Sequence, residues 1–129
     1  MKRILSLIGV VLVMGCGPEP RDMETLERVD GVYMNPEDGQ PYSGPVFGMV
    51  GDVRTMTVSL KDGEWDGPYE SFYENGQLRR KLIYKDGEVD GPYEEYDRDG
   101  QLEEKGTFKD NEKCGEWFEE GETVTYDPC

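Results

Sequence analysis

Residues 31–129 of this 129-residue chain are predicted to be all-β: an elongated antiparallel β-meander of repeated hairpins, with about 24 residues per repeat. Three observations predict it. First, Gly67-Pro68-Tyr69-Glu70 returns as Gly91-Pro92-Tyr93-Glu94 and, degraded, as Gly115-Glu116-Trp117, at intervals of 24. Lys61-Asp62-Gly63 returns in the same step as Lys85-Asp86-Gly87 and Lys109-Asp110-Asn111, and Asn75-Gly76-Gln77-Leu78 returns as Asp99-Gly100-Gln101-Leu102. A period of this length outranks any local motif, because each repeat is one unit that buries its apolar face against its neighbours. Second, each period carries two turn signals, Asn75-Gly76, Asp86-Gly87, Asp99-Gly100 and Asp110-Asn111. Such pairs tolerate the positive φ of type I′ hairpin turns, whose twist matches that of the flanking strands. Third, the chain has no alanine and is rich in Tyr, Val, Thr and Phe, residues that fit a pleated surface better than a helix.

Composition pulls the other way. Leu, Ile, Val and Phe supply only 18 of the 114 residues after position 15, and the formal net charge is −15, from 14 basic against 29 acidic residues. That combination is a signature of disorder. Eight Tyr and two Trp supply apolar area that the aliphatic count misses, so composition alone leaves folded against disordered open. It excludes more than it assigns. A chain this acidic is repelled by phosphate backbones, so no nucleic-acid partner is expected. Without histidine there is no Ser/His/Asp triad, Cys/His dyad or His-ligated metal.

At the N-terminus, Lys2 and Arg3 precede an apolar run from Ile4 to Val13 that is too short for a membrane-spanning helix. Residues 1–15 are therefore expected to be a signal peptide that is removed. The run ends in Val13-Met14-Gly15-Cys16, which resembles the lipobox of bacterial lipoproteins. The resemblance implies that Cys16 is diacylated and becomes the first residue of a lipid-anchored protein, since two or three acyl chains anchor stably. Gly17 after the cysteine implies the outer membrane of the bacterial cell envelope. Residues 16–30, with two prolines and many charges, are expected to be a flexible tether, with room for a short helix around Met23 to Val29.

The repeats follow over Val32 to Tyr126, about eight strands in a single layer without a closed core. In the first, Tyr42 to Phe47 takes the place of the Gly-Pro-Tyr segment, the chain turns near Gly51-Asp52, and Val53 to Leu60 returns. The last is a short hairpin, Glu116 to Phe118 against Thr123 to Tyr126. Tyr69 and Phe72, like Tyr93 and Tyr96, are three apart, which in a regular strand points them to opposite faces. Either a bulge realigns each pair or both faces carry aromatics.

Gly67 to Leu78, followed by Tyr84-Lys85-Asp86-Gly87-Glu88-Val89-Asp90-Gly91, resembles the MORN-repeat variant widespread in bacteria, including proteins catalogued as YwqK-family antitoxins. The resemblance is strongest over the two central repeats. Met49-Val50, Gly106 and Cys114 depart from its pattern. It implies a β-hairpin array and an interaction function, with partner proteins and, for classical MORN repeats, lipid head groups among the contacts. An antitoxin acts inside the cell, whereas the lipobox points outwards, unless the toxin is itself secreted or membrane-bound.

With Cys16 assigned to lipid, Cys114 and Cys129 remain as an even pair in an oxidising compartment. Pairing Trp117 with Tyr126 in the terminal hairpin sets the two cysteines opposite each other, within reach of a disulfide. Two free thiols or a metal site are the alternatives. Glu95, Asp97 and Asp99 ahead of Gly100 fit the start of an EF-hand loop, but its twelfth position falls on Gly106, so the calcium frame fails. The same carboxylates read as hydrolase acid and base residues, or as solvation of sheet edges. The aromatic columns Tyr69, Tyr93, Trp117 and Phe72, Tyr96 read either as a binding groove or as the core of a thin sheet. The expected function is a non-enzymatic interaction or structural module without cofactor or metal, anchored to the membrane through Cys16 and meeting a protein partner. An antitoxin-like or immunity role is the alternative.

Overall fold

The computed structural model describes residues 18–129, so Cys16 and the expected signal peptide lie outside the described residues. The chain is all-β. It begins with β1 (Arg21–Asp22), a 3-10 turn (Met23–Thr25), β2 (Glu27–Val29), β3 (Val32–Asn35) and β4 (Gln40–Pro41). The repeats contribute β5 (Gly44–Val50), β6 (Val53–Lys61), β7 (Glu64–Trp65), β8 (Gly67–Phe72), β9 (Leu78–Lys85), β10 (Glu88–Val89), β11 (Gly91–Tyr96), β12 (Leu102–Lys109), β13 (Glu112–Glu119) and β14 (Glu122–Thr125). One sheet runs β1-β5-β6-β8-β9-β11-β12-β13-β14, with short β7 and β10 folded beside β6 and β9, and β2-β3-β4 form a separate three-stranded sheet.

Sequential antiparallel pairing of the long strands makes a meander, because each hairpin leaves its second strand free to pair with the next repeat. Asp30-Gly31, Asp62-Gly63, Asp86-Gly87, Asp110-Asn111 and Glu120-Gly121 each place two successive residues at positive φ, the type I′ requirement. Asn75-Gly76 and Asp99-Gly100, expected to be turns of the same kind, are not. Only their glycines have positive φ, and they lie in five-residue loops closed by Tyr73 N–H to Gln77 O and Asp97 N–H to Gln101 O, both 2.9 Å. Asn75 Oδ1 accepts Gln77 N–H at 3.0 Å, and Asp97 Oδ1 accepts the N–H groups of Asp99 and Gln101. The return strands absorb the extra length as bulges, since Ser71 and Phe72 face Arg80 and Leu78, while Glu95 and Tyr96 face Glu104 and Leu102.

Residues 16–30 were expected to be a tether, yet the fold starts at Arg21. Arg21 and Asp22 pair in parallel with Val46 and Phe47, and β2 pairs with β3. Met23 and Leu26 pack on the Val46, Val58 and Leu60 cluster, so the segment covers a sheet edge and apolar surface that would otherwise stay wet. The helix with room between Met23 and Val29 shrinks to a single 3-10 turn, capped by the Asp22 carboxylate accepting Glu24 N–H at 3.0 Å.

The core lies on one face of the sheet in cross-strand rows. Val46 faces Val58, Tyr69 faces Leu82 and Tyr93 faces Gly106, in steps close to the repeat period. The neighbouring row pairs glycines with large residues: Gly44 with Leu60, Gly67 with Tyr84, Gly91 with Phe108. Two clusters result, Val46, Val58 and Leu60 in the first repeat and Leu82, Tyr93 and Trp117 from the three repeats that follow, with Tyr69 and Tyr84 packed against both.

Backbone stitches tie each turn to the preceding repeat. Gly63, Gly87 and Asn111 donate N–H to the carbonyls of Tyr42, Trp65 and Val89 at 2.8, 2.8 and 2.9 Å. Beside them Asp62, Asp86 and Asp110 donate N–H to Ser43 Oγ, Asp66 Oδ1 and Asp90 Oδ2.

The last hairpin differs in register from the sequence expectation. Trp117 faces Val124 rather than Tyr126. Gly115, at φ +68°, bends the chain there and exchanges hydrogen bonds with Asp127 O and Tyr126 N–H. Asp127 and Pro128 then bring Cys129 round to Cys114, and a disulfide joins the two with Cα atoms 5.0 Å apart.

Candidate functional site

The five aromatics singled out in the sequence divide between the two faces. Tyr69, Tyr93 and Trp117 point into the core. Tyr69 stacks on Trp65 at 5.5 Å between ring centroids, and Tyr93 meets Phe108 at 5.2 Å and Trp117 at 5.6 Å. Trp117 is 1% exposed, and its indole N–H donates to Thr107 O and Cys114 O at 3.0 and 3.1 Å, so its one polar atom is satisfied inside. Phe72 and Tyr96 lie on the opposite face, because the bulges fall on β9 and β12 and leave the alternation of β8 and β11 intact. Both faces therefore carry aromatics, and no single groove collects the five.

The face bearing Phe72 and Tyr96 is a solvated charge ladder. Glu70, Lys81, Glu94 and Lys105 follow one another across β8, β9, β11 and β12, with Lys105 Nζ 3.7 Å from Glu94. The Tyr96 hydroxyl donates to Glu94 at 2.6 Å. Alternating sign across neighbouring strands sets opposite charges beside each other along this row.

Charged groups also enter the core face. Arg80 donates to Glu95 at 3.2 Å and the Tyr93 hydroxyl donates to the same carboxylate at 2.6 Å. Burial raises the Glu95 carboxyl, but the bonds from Tyr93 and Arg80 outweigh it and hold the group below the ordinary carboxylate value. Burial, with help from that acceptor bond, pushes the Tyr93 phenol well up. Lys113 sits over the Trp117 ring at 4.4 Å, donates to Glu119 at 2.7 Å and lies 3.8 Å from Glu104. Burial would lower its ammonium, yet these carboxylates raise it.

At the edge formed by the Asp-Gly turns lies an open cleft of about 580 Å³ between the small sheet and the central repeats. Tyr33, Trp65 and Tyr84 give it an aromatic wall, and Asp30, Glu64, Asp86 and Glu88 give it carboxylates. Arg28 lies over the Tyr33 ring at 5.5 Å. Gly63 allows the Asp62-Gly63 turn to press on β3: a Cβ there would strike Val32 and stand 2.7 Å from Tyr33 O. Aromatic faces with flanking carboxylates can receive a cationic or donor-rich side chain. The sequence pointed to none of this cleft, because Arg28 was assigned to the tether, Tyr33 to the very start of the repeats, and both reach Trp65 and Tyr84 only through packing.

Of the carboxylates weighed for calcium, Glu95 holds Arg80 and Tyr93, and Asp97 closes its own loop. The Asp66 and Asp90 carboxylates accept turn N–H groups. Among the described residues, no three metal-ligating side chains converge.

No curated protein matches the chain. Residues 65–86 and 89–110 each match the family model described as MORN repeat variant. The matched spans run from Trp65 in β7 to Asp86 and from Val89 in β10 to Asp110, one hairpin unit each up to the first residue of its stitched turn. The central part of the sheet is therefore built of two MORN-like repeats.

Proposed function

We propose that this protein is a lipid-anchored module of the bacterial cell envelope that binds a partner protein and has no chemistry of its own. The aromatic and acidic cleft at the turn edge carries this reading. It is open, Tyr33, Trp65 and Tyr84 line part of it, and its carboxylates fit a Lys or Arg side chain of a partner. The anchor rests on Lys2, Arg3, the apolar run and the lipobox-like Val13-Met14-Gly15-Cys16. Cys16→Ser is expected to abolish labelling by a palmitate analogue and to release the protein from the membrane fraction; unchanged labelling overturns the anchor. Crosslinking in intact cells is expected to capture a discrete envelope or secreted protein, and capture lost on Trp65→Ala assigns it to the cleft. Capture of no protein by the wild-type chain overturns the binding role.

An antitoxin-like or immunity function is the second reading, favoured by the likeness of residues 67–91 to YwqK-family sequences. It requires a toxin gene beside this one and a deletion tolerated only when that gene is also absent.

A further inference from the structure

The opposite edge of the sheet, formed by the 73–77 and 97–101 loops, holds two clefts that occupy neighbouring repeats and carry opposite charge. The first, about 380 Å³, is lined by Arg79, Arg80 and Arg98 with the apolar Val50, Met56 and Phe72. The second, about 470 Å³, is lined by Glu95, Asp97, Glu103, Glu104 and Glu120. Along the 24-residue period Arg79 corresponds to Glu103, Arg80 to Glu104 and Arg98 to Glu74. Three columns thus reverse sign between units that share one backbone. The backbone accepts either sign at the exposed columns of Arg79 and Arg98, so arginine is not required at those two positions for folding.

In a chain of net charge −15, three guanidinium groups meet at one cleft. Arg79 is the unpaired residue of the β9 bulge, and Arg98 stands on the next loop. Both are exposed, and both guanidinium groups lie near the Tyr73 ring, at 5.7 and 5.4 Å. The Tyr73 hydroxyl donates to Tyr96 O at 2.8 Å, and Asn75 Nδ2 donates to Arg98 O at 3.2 Å, so the two loops are held together. Arg80 reaches Glu95 with one nitrogen, while its buried Nε has no acceptor. Glu74 is the carboxylate in this lining, and it is exposed.

We propose that the Arg79, Arg80 and Arg98 cleft binds an acidic peptide segment of a partner protein, one Asp or Glu carboxylate set between the guanidinium groups and an adjacent apolar residue against Val50 and Met56. Arginine's planar fork matches a carboxylate with paired hydrogen bonds. The acidic cleft one repeat away repels a longer polyanion, which selects a short acidic motif over nucleic acid or an extended anionic surface. The inference rests on the reading of the protein as a partner-binding module and names the chemistry of that partner.

The test is selection of linear peptides displayed on phage against the full chain in detergent, followed by binding of the selected peptides in capped synthetic form. Selected sequences are expected to place Asp or Glu beside Leu, Ile, Val or Phe, and replacing that carboxylate by its amide is expected to weaken binding roughly tenfold. The double variant Arg79→Glu, Arg98→Glu is expected to lose the peptides to a similar degree, and Arg79→Gln, Arg98→Gln to a smaller one, with unfolding midpoints near wild type because both sites are exposed. Peptides without acidic enrichment, or binding unchanged in both variants, overturn the proposal. Displacement of the peptides by inorganic phosphate, or binding to anionic phospholipid vesicles in their place, overturns it in favour of a free anion or a lipid head group. A partner captured in cells with equal yield by the wild type and the charge-reversed variant also overturns it while leaving the binding role standing. Capture of nothing by the wild type removes the binding role itself.

Discussion

A Cβ on Gly106 would overlap the Trp117 indole. The equivalent position one repeat earlier is Leu82, facing Tyr69, so the larger Trp117 is accommodated by removing the side chain across the ladder. Gly106→Ala is expected to cost about 1–3 kcal/mol by overpacking, and Trp117→Ala about 3–5 kcal/mol by opening a cavity. Urea midpoints measure both, and a neutral Gly106→Ala would contradict the packing described. Gly106 was visible in the sequence as a departure from the repeat pattern, but its reason lies in a residue eleven positions away on another strand. Glu95 makes a second prediction. Its carboxyl is held below the ordinary value, so its contribution to stability is fully present above the unfolded-state pKa and is lost as pH falls through the lower, folded-state one. Glu95→Gln is expected to remove this part of the acid limb, seen as a shallower loss of stability with falling pH than in the wild type. Relief of repulsion among the other carboxylates acts in the opposite direction in both proteins, so the difference between them isolates Glu95.

The hairpin unit owes its junctions to carboxylates that also give the chain its charge. Asp66 and Asp90 occupy the same place in successive repeats, and each accepts the N–H of the turn that follows it, Asp86 or Asp110. The period made these aspartates recognisable as equivalent, but not their acceptors, since each bond spans twenty residues. Asp90→Ala is expected to lose about 0.5–1.5 kcal/mol and to speed hydrogen exchange at the Asp110 amide while leaving that of Asp86 unchanged. Equal acceleration at both turns would mean that the stitch does not act locally. The loops at the other edge show where turn chemistry read alone misleads. Asn75-Gly76 and Asp99-Gly100 have the dipeptides of a two-residue turn, but Asn75 and Asp97 side chains close wider loops, and the bulges at Arg79 and Glu103 restore pairing. Those bulges carry Arg79 to the cleft.

Across the whole sheet, stability is unevenly distributed because each repeat touches only its neighbours. The C-terminal unit has a neighbour on one side only, and β14 is exposed throughout. The Cys114–Cys129 disulfide closes a 15-residue separation there, a constraint of about 3 kcal/mol in the loop-entropy account. Reduction is expected to lower the urea midpoint accordingly and to raise hydrogen exchange first in β13 and β14, as followed by mass spectrometry with and without reductant. Uniform acceleration over all repeats would contradict a local clamp. At the other end, β1 and the 3-10 turn perform the covering role without a covalent bond, placing Met23 and Leu26 over the first cluster.

Residue order was sufficient for what recurs locally. Spacing of Gly-Pro-Tyr and Asp-Gly signals is a short-range property, and a type I′ turn between β-forming segments makes a hairpin wherever it occurs, so the repeat length, the meander and most turns could be read directly. Low aliphatic content was resolved in favour of folding because Tyr, Phe and Trp join the few Val and Leu residues in the core rows. Packing alone decided what depends on partners distant in the chain: the docking of residues 21–29 on β5 and β3, the split of Tyr69 and Phe72 between faces, the shifted register at Trp117, and the clefts at the two edges. The physical reason is that cross-strand neighbours, bulges and burial set side-chain environment, and these arise only when repeats stack. The 24-residue period specifies that stacking occurs; the identity of the residues that meet across it makes one edge cleft basic and its neighbour acidic.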